Sequence, residues 1–221
     1  MKITDARLQL LLDAGTAVIA DVFDAMRMEP PVLDTALFPV NRTGFIGPAY
    51  TIAGETHTGP ATGDRAKLSA IDEMPPGVVA LWAGGDIRGV CCFGDLLATA
   101  MQARGCAGVV VDGGVRDVAY LRRLDLPVVA RYRTPAQAIG RWRVVSRQEP
   151  VRVRGALRDW VTVHPGDLIA ADEDGVVVIP AGLAAEVAER VQAWTASESG
   201  AREDIRRGMP LLKALDRYGH L

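Results

Sequence analysis

The sequence predicts an α/β protein built on parallel βαβ units, and three observations carry that expectation. Residues 78–83, 108–111 and 127–132 are largely apolar runs without alternation, as strands covered on both faces require. The segments between them present helical apolar faces: Leu96, Leu97, Ala100 and Met101 in the first, Tyr120, Leu121 and Leu124 in the second. From Val151 the hydrophobic period changes to two, the mark of half-buried strands. Strand, helix, strand, helix, strand implies right-handed crossovers, with ligands beyond the carboxyl ends of the strands. Those ends are Gly84-Gly85-Asp86 and Asp112-Gly113-Gly114.

A chain of 221 residues suits one large domain, or one domain with an appendage, and buries roughly 70 % of its unfolded surface. Hydrophobic residues make up 49 % and the formal net charge is −2, which argues against a disordered chain and against a polyanion binder. No apolar run reaches the roughly 18 residues of a membrane span, and the N-terminus lacks a signal-peptide core. A cytoplasmic location without membrane contact is expected. The three cysteines include two neighbours, Cys91 and Cys92, and the odd count argues against a disulfide framework. No Cys-x-x-Cys or His-x-x-x-His spacing points to zinc, so Cys91, Cys92 and Cys106 read as small buried hydrophobes.

Residues 16–26 predict an amphipathic helix with Val18, Ile19, Val22, Phe23 and Met26 on one face and Thr16 as its cap. Glu29-Pro30-Pro31 ends it, because proline excludes the helical conformation before it and lacks the donor. Residues 32–63, rich in Gly, Pro and Thr, predict short strands and turns, with a strand over 50–53. Residues 64–72 suit a helix stopped by Pro75-Pro76-Gly77. Beyond the βαβ region, residues 151–154, 161–164, 167–170 and 176–179 predict a β-meander turning at Pro165-Gly166 and Glu173-Asp174-Gly175. Pro180 opens a helix with Leu183, Val187, Val191 and Trp194 on one face, and Ser197-Glu198-Ser199-Gly200 is expected to break it. Residues 1–180 therefore read as the main domain, and 181–221 as a charged helical extension that packs on a neighbouring subunit.

Chemistry concentrates between residues 93 and 117. A helix opening at Gly94-Asp95 offers unpaired amides and a positive dipole end to a carboxylate or phosphate. Arg116-Asp117 follows a buried strand through Gly113-Gly114, where backbone approaches a ligand closely. Read alone, an Arg-Asp pair is a solvated turn. In this setting the guanidinium is a planar fork for a carboxylate, and one or two acids with open water positions suit Mg²⁺ or Mn²⁺. Asp95 alone is a helix N-terminal anion worth about 0.3–1 kcal/mol; opposite Asp117 it reads as an acid/base group or as one acting through a bound water. Asp86 reads either as a turn residue or as a site wall. His57 and His164 have no partner in sequence and read as structural, with an approach of His57 to the cleft from residues 54–63 as the alternative. Asp172-Glu173-Asp174-Gly175 lacks the further ligands of a calcium loop and reads as a hairpin turn.

Asp95, twenty intervening residues and then Arg116-Asp117 resemble the Asp-x20-Arg-Asp signature of the class II pyruvate aldolases. These are the 4-hydroxy-4-methyl-2-oxoglutarate / 4-carboxy-4-hydroxy-2-oxoadipate aldolases, which share a fold with the regulator of ribonuclease activity A. The similarity runs from about residue 16 to the C-terminus and includes Gly47-Pro48-Ala49-Tyr50, Thr134-Pro135 and residues 164–180, HPGDLIAADEDGVVVIP. It implies the RraA-like, phosphohistidine-domain-like swivelling β-β-α fold. It also implies a carbon–carbon lyase of aromatic compound catabolism that uses Mg²⁺, Mn²⁺ or another divalent metal to release pyruvate, with oxaloacetate decarboxylase side activity.

By the same resemblance, Gly94, Asp95, Leu96 and Leu97 would cradle the pyruvyl carboxylate, chiefly through the Leu96 and Leu97 amides. Arg116 would contact the keto oxygen or carboxylate, Asp117 would ligate the metal directly, and Asp95 would hold a metal-bound water that protonates the enolate. Glu198 or Glu203 of a neighbouring subunit would complete the metal shell, in a homotrimer or homohexamer. The family's Gly-Asp-Asn at the helix entry reads Gly63-Asp64-Arg65 here, a departure at the wall expected to face the distal end of a small 2-oxo acid substrate.

Two other functions compete. A non-catalytic regulator docking on a ribonuclease needs no acid after the arginine, so Asp117 favours catalysis. A methyltransferase is disfavoured because no Gly-x-Gly-x-x-Gly follows a strand with an acidic partner roughly twenty residues on. Near-neutral charge and few aromatic residues argue against direct nucleic-acid binding.

Overall fold

Residues 4–42, 44–60 and 63–219 are described by the structure, a computed structural model. Its centre is a mixed sheet ordered β1 (Phe38–Pro39), β6 (Val128–Arg133), β5 (Gly108–Val115), β3 (Val79–Ala83), β2 (Phe45–Thr56), β10 (Leu168–Ala171) and β11 (Val176–Ile179). Two further strands attach off this path, β4 (Cys91–Phe93) on β5 and β7 (Trp142–Arg147) on β2. Strand β5 is parallel to β3, β4 and β6, and β3 is parallel to β2, so the predicted α/β core stands.

Both faces of that core are covered, which is why its strands show no alternation. On β3, Ala80 and Trp82 enter one core; Val79, Leu81 and Ala83 enter another. Helices α2 (Arg65–Asp72), α3 (Asp95–Ala103) and the single-turn α4 (Val118–Leu121) cover the first face through Ala70, Ile71, Ala98, Met101 and Leu121. A separate hairpin of β8 (Val151–Arg154) and β9 (Trp160–Val163) covers the second with Val151, Val153, Val161 and Val163. Helices α1 (Asp5–Ala25) and α5 (Ala184–Arg206) pack on the outer face of β10 and β11, where Ile19, Val22, Phe23, Val187 and Val191 meet Leu168 and Ile179.

Several expectations are corrected. The four strands after Val151 do not form one meander. β8 and β9 pair only with each other, while β10 continues the main sheet against β2. The region before residue 57 carries one 12-residue strand, longer than residues 50–53. The first helix begins at Asp5 and is interrupted at Gly15 (φ 85°). Thr16 starts its second half, but the cap comes from Asp172, whose Oδ2 accepts from the Thr16 amide at 2.6 Å and whose Oδ1 accepts from the Thr16 hydroxyl at 2.7 Å.

Helix α5 runs unbroken through Ser197 to Gly200. Gly200 is tolerated because a Tyr218 ring carbon would lie 3.0 Å from a Cβ placed there, so the small residue admits the ring of α6 (Leu211–Tyr218). Tyr218 and Arg217 both donate to Asp204 of α5, each at 2.7 Å, so the C-terminal helix packs back on its own chain. Leu96 leaves the predicted apolar face of α3 and is 78 % exposed. Among the described residues no helix is long and apolar enough to cross a membrane.

Candidate active site

The site is made by β4, a three-residue strand with no periodic signal of its own. It runs parallel to β5, pairing Cys91 with Gly114 and Phe93 with Val115. The chain therefore leaves both strands at the same level, Gly94-Asp95 from one and Arg116-Asp117 from the other. The Arg116 amide donates to the Phe93 carbonyl at 3.1 Å, which closes the junction. Asp117 takes the left-handed conformation (φ 59°, ψ 33°), uncommon for a residue with a Cβ. Such backbone clusters at functional positions, where the surroundings hold it.

Asp117 Oδ2 lies 3.5 Å from the Asp95 amide at the first turn of α3 and 3.3 Å from Arg116 Nε. A Cβ on Gly94 would stand 2.8 Å from the same oxygen, so the missing side chain lets the carboxylate sit against the helix start. The Asp95 carboxylate folds onto its own helix, its Oδ1 accepting from the Leu96 amide at 2.8 Å. Gly94, Asp95, Leu96, Leu97, Arg116 and Asp117 thus line one opening, a cavity of about 220 Å³. Cys91, Cys92, Phe93, Gln137, Ala138 and Ile139 contribute to its wall.

Sequence reasoning missed two parts of this cavity. One is β4, which brings the two halves together. The other is Lys67, which lines the cavity with Asp64 and Leu68. Its ammonium sits 4.8 Å from the centre of the Trp142 ring, and Trp142 is anchored by donating Nε1–H to the Gly84 carbonyl at 3.0 Å. Burial pulls Lys67 below the ordinary lysine value, and the Arg116 guanidinium adds to that shift. The only advance signal was a lysine beside the Gly63-Asp64-Arg65 departure. Burial also pushes the Cys92 thiol up to about 12 and raises Cys91 and Cys106, so these cysteines are buried neutral thiols, as expected.

The donor set fits a hard divalent cation in part. Asp117 and Asp95 supply carboxylate oxygens, and the Asp117 side chain is 33 % exposed, which leaves room for bound water. No group of three or more His, Cys, Asp or Glu converges among the described residues, so neither a zinc cage nor a closed calcium site is present there.

Residues 16–178 match the family described as RraA-like: Aldolase/RraA. The chain belongs to the RraA-like aldolase family. A protein of Halalkalibacterium halodurans named "Putative 4-hydroxy-4-methyl-2-oxoglutarate aldolase" is 30 % identical over 90 % of this chain and 88 % of its own length. Protein DlpA of Legionella pneumophila is 31 % identical over 96 % of this chain, which spans 33 % of DlpA. In structure, an uncharacterized protein from Pseudomonas syringae pv. tomato superposes with a TM-score of 0.82 at 25 % identity, covering 97 % of this chain and 98 % of that one. The mixed α/β sheet with C-terminal helices is therefore the RraA-like fold.

Other singled-out residues of this family member lie elsewhere. Gly113 and Gly114 do not open the strand to a ligand; Cβ atoms there would meet Ile87 and Cys92, and Tyr132 and the Val90 carbonyl. Asp86 and Asp112, at the expected strand ends, line a second cavity of about 540 Å³ in which Asp86 pairs with Arg154 and Asp112 with Arg131. His57 lines a third, next to Lys67 and Trp142. Of the acids in residues 164–180, Asp167 accepts from the His164 and Ala181 amides, and Asp172 holds Thr16. The Asp172 amide donates to Gly175 in the hairpin turn. Glu198 and Glu203 do not line the active cavity of their own chain; Glu198 pairs with Arg202, Glu203 with Arg206 and Arg207.

Proposed function

We propose that the chain is a cytoplasmic, divalent-metal-dependent lyase. It would cleave a 4-hydroxy-2-oxo acid of the 4-hydroxy-4-methyl-2-oxoglutarate or 4-carboxy-4-hydroxy-2-oxoadipate type to pyruvate and a second oxo acid. Oxaloacetate decarboxylation is the accompanying side activity. The observation that supports this reading is the convergence of Asp95, Arg116, Asp117 and the first turn of α3 on one cavity. The name carried by the Halalkalibacterium relative agrees with it.

Asp117 would hold a Mg²⁺ or Mn²⁺ ion directly and Asp95 would reach it through water; when bound, the ion would supply Lewis-acid charge to the 2-oxo acid head. The chain's own residues do the rest. The Leu96 and Leu97 amides bind the pyruvyl carboxylate at the positive end of α3. Accepting it at the Leu96 amide requires the Asp95 carboxylate to turn away from that amide, which releases Asp95 to orient a water. When the C3–C4 bond breaks, the electron pair moves towards the C2 oxygen and Arg116 stabilises the charge that develops there. The C4 hydroxyl proton passes to a water molecule as the second carbonyl forms, and the water oriented by Asp95 gives a proton to C3 and regains one from solvent, so no net proton is gained or lost. Water would fill the remaining positions on the cation; the family resemblance extends the same proposal to a homotrimer or homohexamer, with Glu198 or Glu203 of a neighbouring copy near the metal.

The test is pyruvate release from a panel of 4-hydroxy-2-oxo acids. Release that requires Mg²⁺ or Mn²⁺ and disappears in Arg116→Ala and Asp117→Ala is the expected result; turnover that survives chelation overturns it. A ribonuclease pull-down that is insensitive to Asp117→Asn, with no pyruvate formed, would instead favour the regulator function.

A further inference from the structure

Lys67 is a half-buried ammonium with no carboxylate within ion-pairing distance among the described residues. The nearest acid in sequence, Asp64, favours the ammonium by its charge but makes no ion pair with it: Oδ1 accepts from the Lys67 amide at 3.1 Å as the cap of α2, and Oδ2 accepts from the Val144 amide at 2.8 Å. Asp117 is taken by Arg116. The ammonium rests on the face of Trp142, which holds the side chain by cation–π attraction without neutralising it. It lines the same cavity as Arg116 and Asp117, from a different element, with Leu68, Ala138 and Ile139 as apolar neighbours in the wall. A cation desolvated in this way is at its most favourable when an anion enters beside it.

We infer that Lys67 is a specificity-determining residue that seats the distal carboxylate of the substrate while the 94–97 and Arg116 groups hold its pyruvyl head. This rests on the lyase reading for the head and adds the recognition of the far end. It makes a dianionic 4-hydroxy-2-oxo acid the preferred substrate and a monoanion of equal length a poor one. The chemistry requires only a charge-assisted hydrogen bond, so no bond is made or broken at Lys67.

Calorimetric binding of two unreactive analogues, in the presence of Mg²⁺, tests it without depending on turnover. 2-Oxoglutarate carries the distal carboxylate, and 2-oxopentanoate is the monoanion of the same length. The wild-type protein is expected to prefer 2-oxoglutarate by on the order of 10- to 100-fold, the range a charge-assisted hydrogen bond commands. Lys67→Met, which keeps the stem on Trp142, removes that preference by weakening 2-oxoglutarate, and Lys67→Arg retains most of it. Equal wild-type affinities overturn the inference even if no variant folds, and so does an unchanged preference in Lys67→Met. Pyruvate release by wild type alongside either of those results leaves the lyase standing without Lys67. Lys67-dependent dianion binding without any turnover of the panel leaves the recognition standing without the lyase.

Discussion

Gly94 is the residue on which the site geometry turns. Its φ of −157° is ordinary extended backbone, so the demand for glycine is steric: a Cβ would stand 2.8 Å from Asp117 Oδ2 and 3.3 Å from Arg116 Cγ. Both neighbours belong to side chains that can move, so Gly94→Ala displaces the functional groups and leaves the fold intact. The expected outcome is a fall in kcat/KM of roughly 100-fold, the cost of displacing a reacting group by about 1 Å. The melting temperature stays within about 2 °C of wild type. Steady-state kinetics with calorimetric melting of the same variant checks both. That Asp95 would lie beside Arg116 and Asp117 was legible in the sequence because their spacing forms a motif. Lys67 was not, since its meaning depends on Trp142 and on what occupies Asp64.

At the level of elements, the break in α1 is a joint held by one distant side chain. Gly15 turns the chain out of the helix, and Asp172, 156 positions away, bonds both the amide and the hydroxyl of Thr16. That carboxylate satisfies orphan donors of the second half-helix and ties α1 to the β10–β11 hairpin. Asp172→Ala is expected to cost about 2 kcal/mol of stability with kinetics unchanged, because the helix–hairpin joint lies outside the active cavity. Urea unfolding followed by circular dichroism measures the loss; a cost below about 0.5 kcal/mol means that water replaces the cap. The sequence indicated a cap at Thr16, but Thr16 turned out to be the capped residue. A side chain that reaches across the fold leaves no trace in local spacing.

For the whole molecule, the thiols report how tightly the first core is closed. Cys92, on β4, belongs to the core that α2 and α3 cover, and burial raises its thiol to about 12. A raised acid favours the protonated form in the folded state, so the stabilisation is complete below the unfolded thiol value of about 8.5. It is lost as pH rises from there through the folded value. The urea midpoint is therefore expected to decline above about pH 8.5, and less steeply in Cys92→Ala; equal slopes would remove Cys92 from the account. Within the same core Trp82 meets Phe93 at 5.8 Å and Trp142 at 6.2 Å, and Phe93 also lines the candidate cavity.

The sequence by itself determined the parallel core, the helices that cross it, and the spacing of one arginine and two aspartates. Those features are written in local hydrophobic periodicity, helix caps and a motif, all of which act over a few residues. Only the tertiary structure decided that β4 lies beside β5, that β8 and β9 leave the main sheet, and that Asp86 and Asp112 face a different cavity. Strand pairing is a non-local choice: a three-residue strand such as Cys91–Phe93 has too little pattern to declare its partner, and its place follows from what the rest of the chain leaves unpaired.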